Sequence, residues 1–275
     1  MGESMIRDLT DYPNKLEIRD VSFDYIDKRS RFSALENVSL DIKEGEFACI
    51  LGSSGCGKST LLGLLNGLNR AKSGEILLDG KRIVGPGPDR AVVFQQYSLF
   101  PWLTAKGNVN FGIRQSGKKY TKKQREEKAK EYLANVGLAG AADKYPSQLS
   151  GGMKQRVAVA RALALEADVL LLDEPFGAVD PKLRLELQEL VSRLCTEHNK
   201  TVVFVTHDID EAILLSDRIV VMESGKIRTI LSVRLPHPRK RDDLIGTAEY
   251  ENLHRKLIAS FYAHVEDNID SEVML

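Results

Sequence analysis

The chain has 275 residues, 39 Lys plus Arg against 39 Asp plus Glu, and 43% hydrophobic side chains, an ordinary globular composition. That length can bury a large core without staples, and a zero net charge excludes the global basic character of a protein held mainly by phosphate backbones. Cys49, Cys56 and Cys195 fit no CxxC spacing, which argues for a reducing compartment and against a zinc site. The opening MGESMIRDLTDYPNK carries no apolar signal stretch, and no window approaches about 18 uninterrupted apolar residues. The chain is therefore expected neither to span a membrane nor to be secreted.

In chain order, residues 16–25 and 38–42 alternate apolar with polar side chains, predicting half-buried antiparallel strands. Residues 47–51, FACIL, instead form an unbroken apolar run ending in a glycine-rich turn, as a strand covered on both faces of a parallel sheet does. Leu61, Leu62, Leu64 and Leu65 then crowd one side of a predicted helix. Further buried strands are expected at 91–94, 169–172, 202–205 and 219–222, the later ones separated by helical stretches. This alternation predicts an α/β fold with a mostly parallel sheet and an N-terminal antiparallel β subdomain.

Between residues 103 and 164 strand signals are absent, and Thr121 with Gln124 matches a capping box. An inserted helical subdomain is expected there. Its lysine-rich start, 118–130, is interleaved with Glu126 and Glu127 and reads as a solvated helix face, not a nucleic-acid patch. After Met222 the turn Glu223-Ser224-Gly225-Lys226 predicts a hairpin. A Pro- and Arg-rich link, 235–241, then leads to a tail where Leu253, Leu257, Ile258, Phe261 and Val265 recur at helical spacing, predicting a helix packed on its own domain, with a membrane or regulatory helix as the alternative.

Chemistry concentrates in three segments. Gly52-Ser53-Ser54-Gly55-Cys56-Gly57-Lys58-Ser59-Thr60 fits GxxxxGK(S/T) between a buried strand and a leucine-rich helix, the setting a phosphate loop requires. Its glycines let backbone N–H groups turn toward phosphates at the positive end of the helix. Lys58 supplies a cation for the β and γ phosphates, and the Ser59 hydroxyl is placed for Mg²⁺. Downstream, VLLLDEP places Asp173 and Glu174 where an apolar strand leaves the sheet. Asp173 suits Mg²⁺ and Glu174 suits a base toward the attacking water, the plain alternative being an acidic turn that ends a strand. The third segment, Leu149-Ser150-Gly151-Gly152-Met153-Lys154-Gln155-Arg156, opens another helix N-terminus.

Together these segments resemble the ATP-binding subunits of ATP-binding-cassette (ABC) transporters, with Met153 where the signature LSGGQ has its Gln. The resemblance covers residues 14–230 or so. It implies a P-loop NTPase core, with a nucleotide-binding domain at 1–232, its helical subdomain at about 103–164, and a short extension at 233–275. It further implies that Tyr25 stacks on adenine, a strand tyrosine with a wet hydroxyl being the alternative. Gln95 resembles the Q-loop glutamine that reaches Mg²⁺ and water, although Gln96 leaves the register open. Asp180, in Gly-Ala-Val-Asp, resembles the D-loop aspartate with Val179 for the usual Leu, and His207 resembles the switch histidine at the γ-phosphate.

GPGPDR at 85–90, Phe100-Pro101-Trp102 and HPRKR at 237–241 resemble the nitrate, sulfonate and taurine importer branch. The resemblance implies ATP with Mg²⁺, ATP hydrolysis driving import of such a small anion, and peripheral attachment at the cytoplasmic face of the membrane. Expected partners are a second ATP-binding subunit, in a homodimer pairing each phosphate loop with the other copy's signature, and integral-membrane permeases. A periplasmic or lipid-anchored solute-binding protein is expected indirectly, and nucleic acid is not. The rival is a non-transport ABC ATPase acting on nucleic acid or ribosomes, which usually carries two cassettes or a long coiled coil; a small-molecule kinase would lack the signature segment. The aromatic run 97–102 is expected to receive the permease, the alternative being glue between subdomains.

Overall fold

The computed structural model describes residues 6–27, 30–177, 179–237 and 239–272, with side chains of the final helix described as far as Phe261. The chain divides into two compact units. The first takes the described residues up to Leu65, then Asn69–Val84, and the chain from Phe204 onward; the second takes Asn66–Leu68 and Gly85–Val203.

In the first unit, strands β1 (Asn14–Asp27) and β2 (Ser30–Lys43) pair antiparallel. Leu16 and Ile18 of β1 are fully buried, and the register shifts before Val21, with Asp20 in left-handed backbone at φ 48°. That bulge absorbs an extra residue and keeps Val21 on the apolar face. Strand β3 (Phe47–Gly52) is buried throughout, as its unbroken apolar run predicts, and leads by the glycine loop to helix α1 (Lys58–Leu65). Two strands escape the sequence reading: β4 (Ser73–Leu78) on the other edge of β1, and β5 (Lys81–Arg82). Their signal is Asp79-Gly80, both at positive φ, the pair a tight hairpin favours. Ile76, Leu77 and Leu78 are all buried, so no alternation marks the strand.

Parallel to β3 runs β9 (Arg218–Glu223), pairing Cys49 with Ile219 and Leu51 with Val221. The foot of this pair is polar: Arg218 Nε donates to buried Glu46 Oε1 at 2.6 Å, and Phe47 N donates to Asp217 Oδ2 at 2.9 Å. Burial pushes Glu46 above the usual carboxylate range despite Arg218. Burial acts the same way on Asp217, but bonds from His237 and Phe47 N outweigh it and hold that carboxyl low. Strand β10 (Lys226–Ser232) folds back on β9 through Ser224-Gly225, both at positive φ, completing the expected hairpin.

The second unit pairs β6 (Arg90–Val93) with β7 (Val169–Asp173) in parallel and holds helices α2 (Ala105–Gln115), α3 (Lys122–Asn135), α4 (Gly151–Ala164) and α5 (Pro181–Glu197). Strand β6 begins one residue earlier than the apolar run suggests, and Phe94 lies beyond it, 37% exposed. Both bonds of the capping box form at the start of α3, Gln124 N to Thr121 Oγ1 at 3.3 Å and Thr121 N to Gln124 Oε1 at 2.8 Å. The lysine run is only partly a solvated face, because Lys118 and Lys128 both pair with Glu166 just past α4. From there β8 (Thr201–Thr206), buried at all six positions, carries the chain back to the first unit.

The tail returns to the first unit's helix α6 (Ile209–Leu215). Arg239 makes five hydrogen bonds to four backbone carbonyls, those of Ile213, Ser216, Val233 and Leu235. Carbonyls past a helix end need such donors, so HPRKR acts here as a staple; Pro238 lies outside the described residues. Burial lowers the Arg239 guanidinium to about 10. After the short α7 (Arg241–Leu244), helix α8 (Ala248–Glu272) packs on α6 as the tail periodicity predicts. Leu257 is fully buried, while Ile258 is 38% exposed and Tyr250, outside the aliphatic stripe, is 4% exposed. Val265 lies beyond the described side chains.

Candidate nucleotide site

The phosphate loop is built entirely in the first unit. Gly55 and Gly57 take φ of 81° and 103°, backbone that only glycine adopts without strain. At Gly57 a Cβ would also meet Ala34 O at 2.5 Å and Leu35 Cδ2 at 2.8 Å. From the other side the β9–β10 turn braces the loop: Gly225 N donates to Cys56 O at 3.1 Å, and Gly225 O accepts from Glu36 N at 2.9 Å. Sequence reasoning did not find this brace, since its members are far apart in the chain.

Lys58 is 5% exposed, and its Nζ donates to Gly52 O at 2.9 Å and Ser53 O at 2.8 Å. The ammonium is thus fixed inside the loop, where its charge acts in a setting poor in water. Ser53, Ser54, Gly55 and Ser59 are exposed, whereas Gly52 and Cys56 are buried. Burial raises the Cys56 thiol, making it a packing residue at the loop's floor. Thr60 is buried, and its Oγ1 lies 3.2 Å from the Tyr25 hydroxyl. Tyr25 itself is 49% exposed and set edge-on to Phe23, with ring centroids 5.0 Å apart. The hydroxyl is thus placed on the phosphate-loop helix while about half of the side chain stays exposed, which fits the wet-hydroxyl alternative poorly.

His207 follows the last residue of β8 and is exposed. Its neighbours are bonded to one another: Thr206 Oγ1 donates to Glu211 Oε2 at 2.7 Å and accepts from Asp208 N at 3.1 Å, while Asp208 Oδ1 caps α6 through Glu211 N at 3.0 Å. A carboxylate at a helix N-cap both satisfies a donor and complements the helix dipole.

The second unit brings together Gln95 and Glu174. The Gln95 amide Nε2 donates to Glu174 Oε2 at 3.3 Å, which places Gln95 at the acidic pair. Asp173 ends β7, half-buried; Glu174 follows at φ 42°, left-handed backbone for a non-glycine residue. Such strain persists where surrounding structure over-determines it, often at functional sites. The loop after Gln95 is also bent, with Tyr97 at φ 57° and Ser98 at φ 45°. Arg161 of α4 holds it, donating to Ser98 O at 2.7 Å and Tyr97 O at 3.2 Å while its guanidinium lies 5.6 Å from the Phe100 ring centroid.

Ser150 caps α4, its Oγ accepting from Met153 N at 3.3 Å. Gly152 packs closely on α5: a Cβ there would run into the Leu183 side chain, which would have to move. Asp180 caps α5, Oδ1 accepting from Leu183 N at 3.1 Å. The signature and the D-loop aspartate are therefore physically joined through Leu183, and Asp180 has a structural task of its own. Ala178 lies outside the described residues.

Strand, glycine loop and helix with a buried Lys58 define a P-loop nucleoside-triphosphatase fold, to which the acidic strand end and capped signature helix belong. The chain is a member of the ABC transporter family, whose profile matches residues 35–177. It is 50% identical over 232 residues to the bicarbonate transport ATP-binding protein CmpC of Synechococcus elongatus, covering 83% of this chain but 35% of that protein. The chain thus spans about a third of the length of that relative. It is 45% identical over 251 residues to the nitrate transport protein NasD of Klebsiella oxytoca, covering 90% of this chain and 96% of that protein. Among solved structures, the ATP-binding cassette MJ0796, in a dimeric post-hydrolysis state bound to ADP and Pi, aligns with a TM-score of 0.74 and 36% identity over 80% of this chain and 99% of its own.

Proposed function

We propose that the chain hydrolyses ATP with Mg²⁺ and, paired with a second ATP-binding subunit, drives import of a small anion of the nitrate or bicarbonate kind. The observation that carries the chemistry is the Gln95–Glu174 contact beside the strand-ending Asp173. The relatives' names, bicarbonate transport and nitrate transport, support the cargo. The dimeric, ADP- and Pi-bound state of MJ0796 supports the pairing.

Ser59 Oγ in the first unit, and Gln95 Oε1 and the Asp173 carboxylate in the second, are each hard oxygen donors of the kind Mg²⁺ takes, and Mg²⁺ would supply neutralisation of phosphate charge as the γ-phosphoryl leaves. Lys58 and the loop amides orient the β and γ phosphates. Glu174, positioned by Gln95, accepts the proton of the attacking water. His207 contacts the γ-phosphate, and Tyr25 offers its ring to adenine. On this reading Ser150 and Gly151 of one copy face the γ-phosphate in the loop of the other. ATP then favours the closed pair, and hydrolysis releases it.

The chain then works as a peripheral subunit at the cytoplasmic face beneath its permeases, fed by a solute-binding protein outside; among the described residues no helix is long and apolar enough to cross a membrane. Reconstituted with those partners, it should take up labelled nitrate or bicarbonate only with ATP inside the vesicle. ATP-independent uptake, or ATP hydrolysis indifferent to every anion tested, would refute this function.

The permease surface centres on Trp102, which is 70% exposed. The aromatic run divides into two roles. Phe100 is half-buried against Phe111, with centroids 4.7 Å apart, and beneath Arg161, so it is partly internal glue; Trp102 stands outward at 5.5 Å from Phe100. Trp102→Ala should weaken permease binding about tenfold or more, as loss of an aromatic anchor does, with basal ATPase and melting temperature unchanged. Co-purification of the variant with its permease at wild-type yield would exclude this surface.

A further inference from the structure

The tail grips the helix that follows His207 at both ends. At its far end Arg239 ties off the carbonyls of Ile213 and Ser216. In its first turn Asp210 Oδ1 accepts from the Tyr250 hydroxyl at 2.5 Å, with His254 Nε2 at 3.5 Å on the same oxygen, and Oδ2 accepts from Arg241 at 3.2 Å. Tyr250 and His254 stack on each other with centroids 5.9 Å apart. Farther along α8, Ser260 and Phe261 line one cleft with Ser53 of the phosphate loop and with Val221, Met222 and Glu223 of β9. A single helix therefore bonds to the switch segment and lines a cleft with the phosphate loop within one compact unit.

We infer that the extension is a positioning element for the ATPase reaction, with Tyr250 acting through Asp210 to set the place of His207. The path is short and covalently stiff. Asp210 lies in the turn that Asp208 caps, and Glu211, its neighbour, bonds to Thr206, the residue before His207. Helix α6 has only seven residues, too few to hold its own orientation in water, so external bonds fix where its first turn and the attached loop point. Hydrogen bonds to a carboxylate are among the stronger ones a side chain makes. Losing the Tyr250 bond lets the switch loop sample placements in which His207 misses the phosphate, whereas nucleotide binding through Lys58 and the loop amides is unaffected. The inference rests on the reading of His207 as the γ-phosphate contact.

The test is a double-mutant cycle on the full chain, measuring kcat, KM for MgATP and melting temperature. Tyr250→Phe keeps the stacked ring and should lower kcat about three- to tenfold with KM within about twofold. In a His207→Ala background the same change should have no further effect on kcat. Unchanged kcat in Tyr250→Phe, or an equal fall in both backgrounds, overturns the inference while leaving His207 in place. Full turnover in His207→Ala alone overturns the underlying reading, and the inference with it. Should Tyr250→Phe melt early, Asp210→Asn, assayed well below its own melting point, must show the same His207-dependent fall in kcat; its absence also overturns the inference.

Discussion

Glu174→Gln is expected to bind MgATP at close to wild-type affinity and to turn it over about 10²- to 10⁴-fold more slowly, the usual contribution of a positioned general base. The substitution preserves shape and removes charge. Gln95 donates to Glu174 Oε2, and a glutamine carbonyl can accept that same bond, so the loop should keep its form. What is lost is the ability to take a proton from water. Because ATP then remains intact, the variant should accumulate as a dimer in MgATP, visible by size-exclusion chromatography. Hydrolysis near the wild-type rate would remove Glu174 from the role.

Lys58→Ala should act earlier in the cycle, weakening nucleotide binding about 100-fold, the scale of one charge-assisted contact to phosphate in a setting poor in water. The ammonium also bridges Gly52 O and Ser53 O, so its removal takes two donors from the loop as well as its charge. The contrast with Glu174→Gln is loss of binding against loss of chemistry. Calorimetry with MgATP separates them, and unchanged affinity would place Lys58 outside the site.

Whatever the chemistry packs into a few consecutive residues was legible in the sequence. The phosphate loop needs a strand, a turn with permissive glycines and a cation in one run, and residues 47–60 spell out that order. The same holds for the capped helix at Ser150 and the strand end at Asp173. The antiparallel edge at 73–82 was missed because three consecutive buried aliphatics carry no period, although Asp79-Gly80 marked the turn. The supports were not legible, for a different reason. The brace from Gly225 to Cys56 joins residues far apart in the chain, as do the contact of Gly152 with Leu183 and the bond of Tyr250 to Asp210. No local pattern encodes such pairs. Only the fold brings them together, and Gly57 looks like any loop glycine until Ala34 is found against it.

The pairing of β3 with β9 also orders events during synthesis. The strand that launches the phosphate loop is complete by residue 52, yet its partner β9 begins only at Arg218, and the polar foot of that pair joins Phe47 to Asp217 and Glu46 to Arg218. A ribosome must therefore add the whole stretch from residue 53 to residue 217 before that neighbour exists. Until then a wholly apolar strand and a loop of unpaired amides wait with one flank uncovered, the kind of long-range closure that folds slowly and invites wrong partners. The phosphate loop is therefore made long before its supports, and a product terminated before Arg218 would lack both the β9 partner and the Gly225 brace on Cys56.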